Sequence, residues 1–593
     1  MKRIIALVLV AIMMLSVVAC ASNEKTGDGK VNAPKLTYLY NESDAHKAIG
    51  EYLQSAFAAA GINMSLEVQE WATFLETRKN GDYSVARNGW LADYNDPICF
   101  LDMWTSGSGN NDVQFGKGAH KDLAMYNLDL TPYGGKKVEN GTWAETYDVL
   151  ISMIKSCTDS EDRYAMMHLA EDMLMDTGCI VPIYYYTDLY MVDDKVNGFF
   201  SNPLGYKYFM YTDVDGNTQT ISVCLASEPQ TLDPALNSAV DGATTIAHLF
   251  SGLAKWAQDE KGKPVIVADA ATSLPEGTTN DDGTVTYTYT LREGMKWSNG
   301  DTVKASDFVN AWNRAASPET GADYGYMFEI VDGYAAMQED ATKKLNAVAD
   351  DEAGTITVTI CNAVAYWNEM LAFPTYFPVH SSTYGNDAWA TDPSTYICNG
   401  PYTISAWEHN SLITLTKNAN YFDAANVKMN EIKMYLSDDA NNMLANFNNG
   451  AWQLIDDVPT NEIANLKKNT EFKIAGQIGT YYVCWNVNED LLPGSDLKGV
   501  EKEKAQQEIR KALGLLIDRN YIVNEVAQGG QLPAASFVAM GMTDADGSEF
   551  YKNAGDNASY DGYYDVSESA FESNFKSAIE TLKKYYSNVK DAE

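Results

Sequence analysis

The stretch LTYLYNESDAHKAIGEYLQSAFAAAGINMSLEV, residues 36–68, sets the fold class. Leu36-Thr37-Tyr38-Leu39-Tyr40 is a β-prone, largely apolar run of the kind that forms a strand. Ser43 then offers an N-cap. Ala45, Ile49, Tyr52, Leu53, Ala56 and Ala60 follow at helical spacing until Gly61 stops the helix. Ser65-Leu66-Glu67-Val68 reads as a second strand. A strand–helix–strand start is α/β in character. Farther along, a strand–turn–strand run surrounds Thr284 to Leu291, and short strands lie near Tyr402 and Leu412. A strong helix covers 502–516 and a last one 567–586. No short-period repeat occurs, which argues against solenoids and propellers.

The composition narrows the function classes. The chain has 593 residues, 81 acidic against 43 basic, and a formal charge of −38. That length is roughly four domain-sized units or one large lobed protein. Hydrophobic content of 45% excludes wholesale disorder, and the acidic excess makes nucleic acid a poor partner. The 37 tyrosines and 12 tryptophans suit a ligand-lined cleft, although core and surface packing absorb most such rings.

The N-terminus reads as an export signal. Met1-Lys2-Arg3 precedes an apolar run over 4–18, too short to span a bilayer of about 30 Å comfortably. It ends Val17-Val18-Ala19-Cys20, which resembles a bacterial lipobox and makes Cys20 the expected lipidated first residue. The polar stretch 21–35 is then a tether. Seven scattered cysteines remain, with no C-x-x-C, so a zinc ribbon or thioredoxin-like site has no support.

Catalytic motifs are missing. The six histidines form no H-E-x-x-H, and neither a G-x-S-x-G elbow nor a phosphate loop occurs. Asp213-Val214-Asp215-Gly216-Asn217 looks like a calcium loop, but its twelfth position is Cys224 rather than glutamate. It reads as part of a turn-rich linker. No metal or cofactor is expected, and binding is favoured over chemistry.

Several blocks carry a specific resemblance. Gln69-Glu70-Trp71-Ala72-Thr73-Phe74-Leu75-Glu76-Thr77-Arg78, continued by Ala86-Arg87-Asn88-Gly89-Trp90-Leu91-Ala92-Asp93-Tyr94-Asn95-Asp96-Pro97, resembles the ligand-binding stretch of bacterial oligopeptide-binding lipoproteins. Leu291-Arg292-Glu293-Gly294-Met295-Lys296-Trp297-Ser298-Asn299-Gly300-Asp301, with Asp307-Phe308-Val309 and Ala311-Trp312-Asn313-Arg314, resembles a signature of the same family, extracellular solute-binding proteins of family 5. Gly400-Pro401-Tyr402 and the blocks from Ile509 to Leu513 and Asp518 to Arg519 match further parts. The order departs from the family: 36–217 resembles its C-terminal third and 218–593 the part that normally precedes it. The chain therefore looks circularly permuted, with a rearranged gene as the alternative.

The resemblance implies an α/β, periplasmic-binding-protein-like fold of type II, two lobes around a cleft plus an additional subdomain. It divides the chain into a signal peptide (1–19), a lipidated tether (20–35) and the first part of lobe III (36–182). The first part of lobe I follows (183–260, with the joint near 201–218), then lobe II (261–380), the second part of lobe I (381–483) and the second part of lobe III (484–593). Its partners would be oligopeptides, the permease subunits of an ABC importer, and the membrane through the lipid anchor. By resemblance, Asp93 binds the peptide ammonium, the backbone of residues 88–91 pairs with the ligand, and Trp90 and Trp71 wall side-chain pockets. Arg78 and Arg87 are candidates for the ligand carboxylate, or for structural ion pairs. Tyr482 and Tyr185 match strands crossing between lobes, and Tyr324 is a candidate from the smaller lobe. Trp297 and Trp312 are assigned to packing. The competing readings are a binder of oligosaccharide or metal chelate, a secreted hydrolase, and a surface receptor.

Overall fold

The computed structural model describes residues 29–225, 227–386, 388–555 and 557–591. The expected signal peptide, with the expected lipidation site Cys20, lies outside the described residues. The opening follows the expected pattern: β1 (Leu36–Asn41), α1 (Asp44–Ala59) and β2 (Met64–Gln69), with Ser43 at the N-cap. Gly61 ends the helix at φ +85°, a left-handed conformation that glycine adopts without steric cost. Next come α2 (Trp71–Lys79) and β3 (Val85–Leu91). Strands β1 and β2 run parallel, and so do β1 and β3.

Two long strands organise the molecule, β4 (Ile180–Val192) and a later one, Phe472–Trp485. Between them come β5 (Thr220–Cys224), then β6 (Thr278–Thr279), β7 (Val285–Thr290), β8 (Ala347–Asp350) and β9 (Thr355–Ile360). After these lie β10 (Tyr402–Glu408), β11 (Leu412–Lys417), β12 (Glu431–Tyr435) and β13 (Leu454–Ile455); Phe472–Trp485 is β14. An eleven-stranded sheet has the order β10-β11-β12-β5-β13-β4-β14-β3-β1-β2, with Leu532–Pro533 also pairing to β4. The central antiparallel pair β4–β14 is thus shared by two sheet halves. Its register breaks between Gly476 and Thr480. A separate antiparallel sheet, β6-β7-β9-β8, forms the smaller unit.

Trp297 and Trp312 are fully buried, their indole N–H groups donating to Asp307 at 3.0 Å and to the Tyr376 carbonyl at 2.7 Å. This is the packing role assigned to them. The linker over 200–217 differs from expectation. It folds into short hairpins whose Lys207, Tyr208 and Phe209 are buried. Its aromatic content explains this, because exposing that apolar area would cost more than ordering the loop. The Asp213–Asn217 turn belongs to one hairpin, and no side-chain group suited to a metal occurs among the described residues. All seven described cysteines are free. No described helix is long and apolar enough to cross a membrane.

The first and last described segments meet. Val31 forms a parallel bridge with Tyr586, just beyond the helix Phe571–Tyr585, and Ser587 N–H donates to the Val31 carbonyl at 2.9 Å.

Candidate functional site

A cavity of about 410 Å³ lies between the sheet halves. It is lined by the end of β1, by α2 and β3, by the first turns of α3 (Val240–Leu249), and by Tyr324 and Phe373 from the smaller unit. Strand β3 provides its floor. On one edge β3 pairs with β14 along its whole length, Leu91 to Gly479 through Val85 to Trp485. On the other edge β1 pairs only as far as Val85 and Ala86. Among the described residues no strand pairs with 88–91 on this edge, where the Gly89 N–H is met by Asn88 Oδ1 at 2.8 Å, so the edge is a template for an added strand. Gly89 has no room for a side chain here, since a Cβ would stand 2.2 Å from the Tyr186 hydroxyl.

Asp93 follows this edge. It is 7% exposed, and its Oδ1 accepts a hydrogen bond from the Tyr324 hydroxyl at 3.1 Å. No cationic side chain pairs with it among the described residues. Burial pushes its carboxyl well above the ordinary range; the Tyr324 bond opposes this and nearby Asp102 adds to it. Trp90 lies alongside, its indole N–H bound to the Cys99 carbonyl at 2.9 Å and its ring centroid 6.2 Å from that of Tyr324. Asp93, Trp90 and Tyr324, drawn from distant parts of the chain, meet at one end of the cavity.

The two arginines differ. Arg78 is ion-paired, its Nε 2.6 Å from Asp112 Oδ2, so its charge is compensated within the protein. Arg87 is buried, donates from Nε to Asn41 Oδ1 at 2.8 Å, and faces no carboxylate at ion-pair distance among the described residues. Its guanidinium instead packs over Trp71 (5.5 Å), Phe74 (5.4 Å) and Tyr481 (5.9 Å). Trp71 is half-buried and lines the cavity.

Tyr185 and Tyr482 do not reach the cavity, which corrects their assignment to it. Successive strand residues point to opposite faces. Tyr185 is turned to Ser536, with 2.8 Å between the hydroxyls, and Tyr482 packs edge-on against Trp104 and Phe537. The neighbour Tyr186 lines the cavity instead. Sequence reasoning also missed His46, whose ring lies 5.7 Å from Tyr481 and whose buried Nδ1 has no partner. Burial and the Arg87 charge hold it well below the usual imidazole range, hence neutral. Its signal was faint, one histidine on the exposed-looking start of α1. Tyr206, another lining residue, was hidden in the supposed linker.

Comparison with known proteins places this architecture. The profile of the bacterial extracellular solute-binding proteins, family 5 Middle, matches residues 19–112 and 265–586. The chain belongs to this family. Among its curated relatives, the oligopeptide-binding protein OppA of Bacillus subtilis is 32% identical over 340 residues, covering 55% of this chain and 57% of that protein. The probable deoxycholate-binding periplasmic protein YgiS of Escherichia coli is 29% identical over 319 residues, 52% and 55% of the two chains. The chain thus matches a little over half the length of these family members. The solved structure of the Escherichia coli murein tripeptide-binding protein MppA aligns with TM-score 0.50 at 24% identity, covering 61% of this chain and 66% of that one. That likeness concerns the fold: type II, two lobes around a cleft with an additional subdomain.

Proposed function

We propose that this family member captures oligopeptides in the cleft and hands them to the permease of an ABC importer, acting as a binder rather than an enzyme. The observation that carries the reading is Asp93, a buried carboxylate without a cation beside the free backbone edge of β3. A general peptide receptor must grip what all peptides share: the terminal ammonium, the backbone and the terminal carboxylate. Asp93 supplies the first, residues 88–91 the second, and Arg87 with His46 the third. A guanidinium suits a carboxylate because it offers two parallel donors. The oligopeptide-binding role that OppA is named for points the same way, whereas a ligand such as the deoxycholate named for YgiS carries no ammonium for Asp93.

The lobe division around β4 and β14, the lipid anchor at Cys20 and the permuted order are parts of the same reading. The order is supported by the contact of Val31 with Tyr586, which would have been continuous chain in an unpermuted relative. Titration with a ladder of peptides from two to six residues tests the function. Saturable, stoichiometric binding with the peptide recovered intact is expected. Cleavage of the peptides, or binding of oligosaccharides in their place, would overturn it.

A further inference from the structure

The ends that every peptide shares do not account for Asp241. It stands in the first turn of α3 and lines the cavity. Both its carboxylate oxygens are shielded from solvent, and neither closes a hydrogen bond in good geometry. Burial pushes its pKa up to about 6, while the N–H groups of Gly242 and of Asp241 itself and the Trp71 indole, all close by, oppose the rise. The group is therefore mostly ionised at neutral pH. A helix N-terminus favours a carboxylate, which explains the position but not two buried oxygens met only by poorly aligned N–H groups and by no cation. Such a group costs free energy unless something arrives to pair with it.

No cation of the cavity wall pairs with it among the described residues. The described lining carries nine carboxylates against three cationic side chains. Arg78 is paired with Asp112 and Lys79 with Asp323. Arg87 is the third; its Nε donates to Asn41 Oδ1 at 2.8 Å and its guanidinium packs over the Trp71 ring at 5.5 Å. Nearby Glu228 is held by His409 at 2.6 Å and by the Asn410 N–H at 2.8 Å. Lys207, just outside, is bound between Asp188 and Asp456.

We propose that Asp241 receives the ammonium or guanidinium of a lysine or arginine side chain of the bound peptide, so that the cleft selects basic peptides. This rests on the peptide-binding reading and adds the class of side chain.

The test is a tetrapeptide scan in which one position of tetraalanine at a time carries lysine, Nε-acetyl-lysine or norleucine, all with free termini. At one position lysine is expected to bind at least tenfold tighter than acetyl-lysine. In Asp241→Asn, and again in Asp241→Ser, that ratio falls below threefold. In Asp122→Asn, which removes an exposed charge outside the cavity lining, the ratio stays. Thermal melting confirms that each variant is folded. Equal binding of lysine and acetyl-lysine peptides by the unaltered protein, or a preference that survives both Asp241 variants, overturns the proposal while tetraalanine binding leaves the peptide reading intact. Failure of every peptide to bind overturns both.

Discussion

The molecule buries carboxylates in many places, and two of those places handle the charge in opposite ways. In the hairpin segment over 200–217, Lys207 is inserted between Asp188, 2.9 Å away, and Asp456. Burial disfavours the lysine charge, but the two acids outweigh it and hold Lys207 protonated. Asp456 is pushed up to about 7, first by burial and then against the pull of Lys207. In the cleft, Asp93 has only a tyrosine hydroxyl. A protein that compensates a buried charge in one place and leaves it open in another marks the second place as the one awaiting a ligand, since an unpaired buried ion is costly. The same contrast separates Arg78, matched by Asp112, from Arg87, which has only aromatic faces and an amide oxygen.

The largest expected effect is on the compensated side. Lys207→Met strands two carboxylates against each other and should cost about 3–5 kcal/mol of stability, read from urea unfolding; a change under 1 kcal/mol would break the contrast. On the open side, Arg87→Met should lower peptide affinity by about 1.5–3 kcal/mol, the worth of a charged hydrogen bond, with stability little altered. C-terminally amidated peptides should not discriminate between the two proteins. Acidification sharpens the comparison further. The Asp93 pKa is raised by burial, so its carboxylate takes up a proton at higher pH than an ordinary aspartate, and a protonated acid cannot pair with an ammonium. Affinity for free-amino peptides should fall with decreasing pH, by no more than tenfold per unit, about 1.4 kcal/mol, with proton release on binding visible by calorimetry. N-acetylated peptides should lack that slope. The smallest effect is Tyr324→Phe, which removes one hydrogen bond to Asp93 and should cost about 1 kcal/mol of peptide affinity.

The residues show which parts of this were legible in the sequence. Strand–helix–strand periodicity over 36–68 is local, and the observed β1, α1 and β2 follow it closely. Trp90 and Asp93 were legible because their motif is contiguous, and Tyr324 because it was placed in the smaller lobe. The face of a strand is less legible when a register shift intervenes. The shifts in β4–β14 between Gly476 and Thr480 and between Tyr481 and Tyr482 set which tyrosine turns inward, so Tyr186 lines the cleft and Tyr185 does not. Whether an arginine is free or paired is decided by a partner far along the chain; Asp112 is 34 residues from Arg78 and gave no local sign.

The uncompensated charge of Asp93 is the centre of this account, and a two-by-two calorimetric titration measures it: unaltered protein and Asp93→Asn, each with a free-amino peptide and its N-acetylated form. Asparagine keeps the shape and removes the charge. The account predicts that the free-amino peptide loses about 3–5 kcal/mol in the variant, roughly two to four decades of affinity. The acetylated peptide should bind the unaltered protein poorly and lose little more in the variant, because the two changes delete one interaction. Free and acetylated peptides binding alike to the unaltered protein would contradict it.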